Sequence, residues 1–256
     1  MKADLHVHTY FSCDSRERME RYCDKAIRKG ITCLCFTEHV DYNPEDEGFG
    51  YYEAEKYFDE LGMMQSIYKD KLTLLSGIEF SEPHLYQREL KELAQYPYDF
   101  IIGSVHYVNG VFPDREMRKR YTLEDYFKLY WNEVLEAVSC GGFDSLGHMD
   151  FPKRCLGEAL YSNDIIDEIF KTMLHNNIAL EINTSSFRYG FSTTLPGPEH
   201  LLRYKELGGS YVTFGSDAHR EESLASNIQL AKDMMEDIGL QEVIFQKRKA
   251  MPVVAS

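Results

Sequence analysis

Short apolar runs alternate along the chain with longer segments in which apolar residues recur every three or four positions. Runs of the first kind are typical of buried strands, and segments of the second kind are typical of amphipathic helices. Seven strands are predicted, at Ala3–His8, Ile31–His39, Leu72–Glu79, Phe100–His106, Phe143–His148, Ile178–Asn183 and Tyr211–Asp217. Seven helices are predicted, at about Ser15–Lys29, Glu53–Tyr68, Leu85–Gln95, Leu123–Ser139, Asn163–Asn176, Pro198–Leu207 and Leu224–Ile238.

The first predicted helix indicates how the helices pack on the sheet. Its apolar residues recur at spacings of three and four and form one stripe, made of Met19, Tyr22, Cys23, Ala26 and Ile27. Helices of this kind cover the outside of a sheet, and strict alternation of strands with helices predicts that the strands are parallel. Two architectures remain open from the pattern alone, an open doubly wound sheet and a closed barrel.

The predicted strands end in residues whose side chains bind metals or phosphate. Six of the nine histidines lie at or just after strand ends, namely His6, His8, His39, His106, His148 and His219. Glu79 and Asp217 lie at strand ends as well. In parallel α/β folds the active site lies at the carboxyl ends of the strands. Imidazole and carboxylate ligands suit Zn²⁺, Mn²⁺ or Fe, so the sequence predicts a metal site at this end of the sheet.

Two histidines in the first strand are expected to act together. His6 and His8 are two residues apart, so their side chains project to the same side of a strand. Asp4 lies one further step back on that side. Because a histidine that binds a metal usually donates its other ring N–H to an acceptor, we expect Asp4 to orient His6.

Composition and charge narrow the class of protein. The 256 residues carry a formal net charge of −14, which argues against a general nucleic-acid or membrane-surface binder. No signal-peptide pattern and no apolar run of roughly 18–20 residues is visible, so a cytoplasmic location is expected. Residues 1–256 are expected to form a single domain, and the six cysteines are expected to form no disulfide framework.

The order of these motifs resembles the polymerase-and-histidinol-phosphatase (PHP) superfamily. The resemblance covers residues 4 to 219 and is carried by His6-x-His8, Thr37-Glu38-His39, Gly77-x-Glu79, Gly103-Ser104-x-His106, Gly147-His148 and Gly215-Ser216-Asp217-Ala218-His219. It implies an α/β fold, a distorted, TIM-like (β/α)7 barrel with the metal site at the carboxyl ends of the strands. The length, and the position of Asp14 six residues after His8, look most like the histidinol-phosphate phosphatase branch.

The resemblance also implies a centre of three divalent ions, Zn, Mn or Fe. One ion is expected to be held by His6, His8, Glu79 and Asp217, a second by Glu79, His106 and His148, and a third by Asp14, His39 and His219. The implied activity is hydrolysis of a phosphate monoester, L-histidinol phosphate, by a metal-bound hydroxide in histidine biosynthesis. Asp217 or His219 is expected to assist the leaving alkoxide as an acid.

Several residues in the loops after the strands are candidates to bind the substrate. Lys153, Arg154 and Arg188 are expected to clamp phosphate oxygens, the two arginines with catalytic effect, because arginine suits bidentate phosphate contacts. Glu82 and Asp114 are candidates to pair with cationic groups of the substrate, and Tyr107 is a candidate to stack on its imidazole. Two alternatives stay open, a PHP phosphoesterase acting on a nucleotide, sugar phosphate or phosphotyrosine, and a non-catalytic metal-binding module.

Overall fold

A computed structural model describes residues 2–253, in which helices lie between successive strands except the last two of the nine strands. The strands are β1 (Ala3–Val7), β2 (Cys33–Val40), β3 (Thr73–Ser81), β4 (Phe100–Ser104), β5 (Ser145–Leu146), β6 (Ala179–Asn183), β7 (Tyr211–Gly215), β8 (Gln241–Gln246) and β9 (Lys249–Pro252). The α-helices are α1 (Met19–Lys29), α2 (Ala54–Tyr68), α3 (Gln87–Leu93), α4 (Met117–Arg120), α5 (Leu123–Cys140), α6 (Pro152–Leu156), α7 (Asn163–His175), α8 (Pro198–Glu206) and α9 (Ile228–Met235).

The strands lie in sequence order, and each of β1 to β7 runs parallel to the next. The ends of this sheet also meet, because Val7 forms a parallel bridge with Ala218 and the His8 N–H donates to the Ala218 carbonyl at 2.9 Å. Only the carboxyl ends of β1 and β7 join, since β8 occupies the edge of β7 where Tyr211 pairs with Gln241. The predicted α/β fold with a distorted, TIM-like barrel is confirmed.

Helix α1 packs on the sheet largely as its apolar stripe predicts. Four stripe residues are fully buried, namely Met19, Tyr22, Cys23 and Ala26. Ile27 is 39% exposed, so the buried stripe is narrower than predicted. The helix ends at Gly30, whose φ of 67° lies in the left-handed region that favours glycine.

None of the helices in the described part of the chain has the length and apolar character needed to cross a membrane.

The C-terminal hairpin of β8 and β9 was not predicted. β8 pairs parallel with β7 and antiparallel with β9, which extends the sheet beyond the barrel strands. The buried residues of β8 are only Val243, Ile244 and Phe245. An apolar run this short in the sequence does not distinguish a strand from a buried turn of helix. The predicted helix before it is also shorter than expected, because α9 ends at Met235 and a 3-10 turn follows at Glu236–Ile238.

Candidate metal centre

Glu79, at the carboxyl end of β3, is the residue on which five histidines converge. Its side chain is fully buried. His6 Nε2 lies 3.0 Å from Glu79 Oε2, and His148 Nε2 lies 2.8 Å from Glu79 Oε1. Three more histidines each place a ring nitrogen near a Glu79 oxygen, His8 at 3.5 Å, His39 at 3.2 Å and His106 at 3.3 Å. These side chains meet because parallel strands place their carboxyl ends at one edge.

A second group of predicted ligands adjoins the first at His8 and His39. The rings of His39 and His219 both stack on the imidazole of His8, each with its centroid 4.2 Å from that of His8. His8 Nε2 lies 3.5 Å from Asp217 Oδ1, and His219 Nε2 lies 2.9 Å from Asp14 Oδ2. The structure therefore brings all nine predicted metal ligands into one continuous cluster.

The charges within the cluster favour the metal-binding protonation state at Glu79 and His8 and oppose it at His6. Burial alone would raise the pKa of Glu79, but the neighbouring histidines, His6 first, outweigh it and hold that pKa well below its usual range. Burial would lower the pKa of His6, but Glu181 and Glu79 raise it well above its usual range. The pKa of His8 is held well below its usual range by burial and by the adjacent histidines. Glu79 is thus ionised and His8 neutral, as metal binding requires.

The donor atoms fit a divalent cation. Buried Nε2 of His8 has no hydrogen-bond partner among the described residues, although polar atoms in protein interiors are nearly always paired. Within residues 2–253, three groups each place one ligand atom per residue within 4.8 Å of one another: His6, Glu79 and His148; His6, His8 and Asp217; and His8, His39 and His219. Nitrogen and oxygen donors at this spacing suit a transition-metal ion or Zn²⁺.

Hydroxyl groups orient two of the histidines through carboxylates to which the sequence analysis assigns no role. Ser12 Oγ lies 3.2 Å from His8 Nδ1 and donates to Glu38 Oε2 at 2.8 Å. Ser81 Oγ lies 3.1 Å from Nδ1 of His106 and donates to Asp41. The ring nitrogen that faces the cluster is therefore Nε2 in both residues.

The predicted role of Asp4 is wrong. Its carboxylate accepts hydrogen bonds from Ser216 Oγ at 2.5 Å, from Ser216 N at 2.9 Å and from Ala225 N at 2.8 Å. It reaches His6 only at the backbone N, at 3.4 Å. The imidazole of His6 is oriented instead by Glu181, whose Oε1 lies 2.6 Å from Nδ1. Asp4 therefore ties β1 to the loop after β7 rather than orienting a ligand.

Both predicted arginines lie at the cluster. Arg154 Nη1 donates to Asp217 Oδ2 at 2.7 Å and to Ser185 Oγ at 3.2 Å. Arg188 donates to the backbone carbonyls of Ser216 and Asp217, both at 2.7 Å. The two guanidinium groups line one pocket of about 320 Å³ together with Asp14, His39, Asp217 and His219. The cationic side chains therefore adjoin the candidate ligands.

Of the other predicted substrate residues, Tyr107 lies at a cavity beside the cluster and Lys153 does not. Tyr107 lines a cavity of about 600 Å³ that also contains His39, His106 and Arg154. Lys153 Nζ lies 3.6 Å from Asp150 Oδ2 and 5.9 Å from the ring centroid of Phe191, outside the residues that line this cavity. Lys153 is thus engaged by a buried carboxylate.

Glu82 lies beneath the cavity rather than in its wall. It is 1% exposed, and its Oε1 accepts backbone N–H groups of His106 at 2.7 Å and Tyr107 at 3.2 Å. Its Oε2 has no hydrogen-bond partner within residues 2–253. This burial disfavours the predicted pairing of Glu82 with a substrate cation. The carboxyl group instead holds the backbone that carries His106.

Replacing Glu82 by glutamine is expected to stabilise the metal-free protein more at pH 8 than at pH 5. Burial raises the pKa of Glu82 to about 7, and its hydrogen bonds offset this only in part. Between the unfolded pKa of about 4.3 and this value the native state binds the extra proton, so the wild-type unfolding free energy falls as pH rises. The Glu82→Gln variant keeps the acceptor oxygen without the charge, and its stability relative to wild type should rise by about 2.5 kcal/mol between pH 5 and pH 8.

Urea unfolding of both proteins in chelator at the two pH values measures this difference. The exposed Glu47→Gln variant serves as the control, because Glu47 is solvated in the folded protein. Parallel pH dependences for wild type and Glu82→Gln would show that Glu82 ionises in the folded protein as easily as in water.

Comparison with known proteins agrees with this geometry. A family model described as the PHP domain matches residues 4–185. The chain belongs to the PHP family. A probable histidinol-phosphatase of Clostridium acetobutylicum is 32% identical, over 97% of this chain and 98% of its own length. The histidinol-phosphatase of Lactococcus lactis is 29% identical, over 94% of this chain and 93% of its own length.

Solved structures share the fold of this chain. The crystal structure of histidinol phosphate phosphatase from Lactococcus lactis, complexed with zinc, L-histidinol and phosphate, is similar to this chain with a TM-score of 0.84 and 27% identity. The similarity covers 98% of both chains. A putative histidinol phosphatase from Listeria monocytogenes shares the fold with a TM-score of 0.76 and 18% identity, over 90% of this chain and 99% of its own.

Proposed function

We propose that this PHP protein hydrolyses L-histidinol phosphate to L-histidinol and inorganic phosphate in a metal-dependent reaction. The observation that carries the proposal is the cluster around Glu79, in which histidines and carboxylates adjoin the guanidinium groups of Arg154 and Arg188. Metal ligands beside fixed cations are suited to a phosphate monoester. Similarity over 98% of the chain to a protein solved with zinc, L-histidinol and phosphate supports that substrate.

The nine clustered side chains are proposed to hold three divalent ions, zinc, manganese or iron. The ligand sets are His6, His8, Glu79 and Asp217 for one ion, Glu79, His106 and His148 for a second, and Asp14, His39 and His219 for a third. When bound, such ions supply a nucleophilic water near neutral pH and neutralise phosphoryl charge. The unpaired Nε2 of His8 and the low pKa of Glu79 support this assignment.

Arg154 and Arg188 are proposed to bind the phosphoryl oxygens. Arg188 is fixed by two backbone carbonyls, and the Arg154 guanidinium packs over the ring of Phe151 with 4.4 Å between its Cζ and the ring centroid. Side chains held in this way lose little further freedom when an oxyanion binds. Lys153 is left out of the phosphate site because it is engaged by Asp150.

The cavity of about 600 Å³ that adjoins Arg154 fits a leaving group that carries positive charge. Two arginines, Arg120 and Arg154, and seven carboxylates line it, the acids being Asp14, Asp41, Glu45, Asp46, Glu47, Asp114 and Glu116. Aromatic walls are provided by Tyr107, Phe112 and Phe151. Negative potential with aromatic surface suits the amine and imidazole of L-histidinol and disfavours the polyanionic chain of a nucleotide.

Asp217 is proposed to transfer the proton, and His219 is proposed to act only as a ligand. Burial would raise the pKa of Asp217, but Arg154 keeps it well below its usual range, so the carboxylate is ionised. Its Oδ1, which is not bonded to Arg154 and lies 3.5 Å from Nε2 of His8, is proposed as the metal ligand, and Oδ2 is proposed to accept a proton from the attacking water and pass it to the leaving alkoxide. Nδ1 of His219 donates to the Asp217 carbonyl at 3.0 Å, which leaves Nε2 for a metal.

Steady-state hydrolysis by metal-loaded protein tests the function. We expect kcat/KM for L-histidinol phosphate to exceed that for p-nitrophenyl phosphate, AMP, glucose 6-phosphate and phosphotyrosine by about 100-fold or more. Preference for one of the other esters would support the alternative of a phosphoesterase with another substrate. An absence of turnover of all of them, with metal bound, would support a non-catalytic module.

A further inference from the structure

Glu181, on β6, connects two histidines of the metal centre without facing it. The residue is 1% exposed. Its Oε1 lies 2.6 Å from Nδ1 of His6, and its Oε2 accepts the backbone N–H of His148 at 2.7 Å and the side-chain amide of Asn183 at 3.1 Å. One buried carboxylate therefore joins β1, β5 and β6 at the carboxyl end of the barrel.

The ring of His6 lies between two carboxylates. Nε2 faces Glu79 at 3.0 Å, and Nδ1 faces Glu181 at 2.6 Å, on the far side of the ring. The described side chains that are close enough to share one cation include His6 and Glu79 but do not include Glu181. An acceptor at Nδ1 keeps the proton on that nitrogen and leaves the lone pair of Nε2 directed toward the metal.

Two glycines of the strand-end motifs lie close to Glu181, and one of them, Gly215, leaves the space that its carboxylate occupies. A Cβ atom at Gly215 would overlap Glu181 Oε1 and the side chain of His6. A Cβ atom at Gly147 would lie 3.5 Å from Glu181 Oε2 and 2.7 Å from Ile102 Cγ2. Neither glycine has a positive φ, so close approach and not backbone conformation explains them. Glycine in Gly215-Ser216-Asp217 thus allows the carboxylate to reach His6, whereas Gly147 makes room for the side chain of Ile102.

We propose that Glu181 is a positioning residue that sets the proton on Nδ1 of His6 and the backbone of His148, so that both histidines present Nε2 to the metal. The inference rests on the metal centre of the proposed function but not on the identity of the substrate. Carboxylates that accept from a ligating histidine raise its basicity and fix its orientation, and their loss typically costs 10–100-fold in metal affinity or activity.

The Glu181→Gln variant tests the proposal. All three groups from which Glu181 accepts are donors, whereas glutamine presents one acceptor oxygen and one NH2 group, so at least one contact becomes donor against donor. We expect zinc affinity, measured by competition with a chromophoric chelator, to fall about 10–100-fold. The visible spectrum of the cobalt-loaded variant should change as well, because a ligand is displaced.

The Asp144→Asn variant is the matched control. Asp144 is also a buried carboxylate of the sheet that accepts a backbone N–H, from Ile101 at 2.8 Å, and it lies just before β5 at the opposite end of the barrel. We expect its zinc affinity and cobalt spectrum to match wild type. Equal affinities for Glu181→Gln and wild type would overturn the proposal.

A measurement on the wild-type protein covers the case in which Glu181→Gln does not fold. Nitrogen-15 NMR of the imidazoles in the zinc-loaded protein reports which ring nitrogen carries the proton. A proton on Nδ1 of His6 is expected, and an unprotonated Nδ1 would contradict the proposal. Metal affinity is measured without substrate, so a protein that binds zinc but leaves L-histidinol phosphate intact would contradict the proposed function alone.

Discussion

Replacing Glu79 by glutamine is expected to remove most of the bound metal and to reduce kcat by about 10³-fold or more. Both Glu79 oxygens face histidine nitrogens, with His6 at 3.0 Å on one and His148 at 2.8 Å on the other. Glutamine has nearly the same volume, but it loses the negative charge and places an NH2 group where one oxygen accepted. Metal ions contribute several kcal/mol to stabilising charge in the transition state, and each 1.36 kcal/mol corresponds to a tenfold change in rate.

Elemental analysis of purified Glu79→Gln together with its steady-state kinetics measures this effect. The matched control is Glu133→Gln, since Glu133 also pairs with a histidine, His84, at 2.6 Å but lies outside the cluster. The control should keep the metal content and kcat of wild type. Wild-type metal content in Glu79→Gln would mean that the histidines bind the ions without this carboxylate, and the assignment of Glu79 as the shared ligand would be wrong.

The pattern along the chain was sufficient to predict that the residues at the strand ends meet at one edge of the sheet, and the resemblance to the PHP family added Glu79 as a shared ligand. Residues such as His6, His106 and His148 are far apart in sequence, but each lies at or just beyond the carboxyl end of a strand. In a parallel sheet all of these ends share one edge, so position relative to a strand predicts position in space. The α/β class and the parallel order follow from the same alternation, which is why they too were predicted.

The contacts that orient the ligands were not predictable in the same way. Asp4 lies on the same strand as His6 and Glu181 lies on β6, and only the register and twist of the sheet decide that Glu181 and not Asp4 reaches Nδ1 of His6. A signal was nevertheless present, because Glu181 is a lone acid inside the apolar strand run Ile178–Asn183, where an ionised side chain is costly unless it is paired.

Loop conformation accounts for the remaining differences between the predicted and the observed substrate residues. Lys153 and Arg154 are adjacent in sequence, but α6 directs Lys153 to Asp150 and Arg154 to Asp217. Residues one apart on a helix point about 100° apart, so only the bounds of this short helix decide which one reaches the site. The acidic cavity wall likewise depends on how the loops after β2 and β4 fold back, which their sequences do not specify.

Arg154→Ala is expected to raise KM for L-histidinol phosphate by about 10²-fold while the bound metal is retained. Charge-assisted hydrogen bonds are worth about 1.5–3 kcal/mol each, which corresponds to this range when one or two are lost. The inhibition constant for inorganic phosphate should rise in parallel, since the contact is to the phosphoryl group and not to the leaving group. Arg154→Lys should recover only part of the loss, because an ammonium group cannot make a bidentate contact.

The metal content distinguishes a phosphate contact from an indirect effect on Asp217. Arg154 donates to Asp217 Oδ2 at 2.7 Å and is the main group that opposes the rise in pKa that burial would cause. If the pairing served chiefly to keep Asp217 ionised for metal binding, Arg154→Ala would lose metal and lower kcat instead of raising KM. Arg203→Ala is the control, because Arg203 pairs with Asp167 on the outer helices, at 2.6 Å from Nε to Oδ1. A KM and phosphate inhibition constant equal to wild type in Arg154→Ala would exclude Arg154 from the phosphate site and leave Arg188 as its remaining proposed cation.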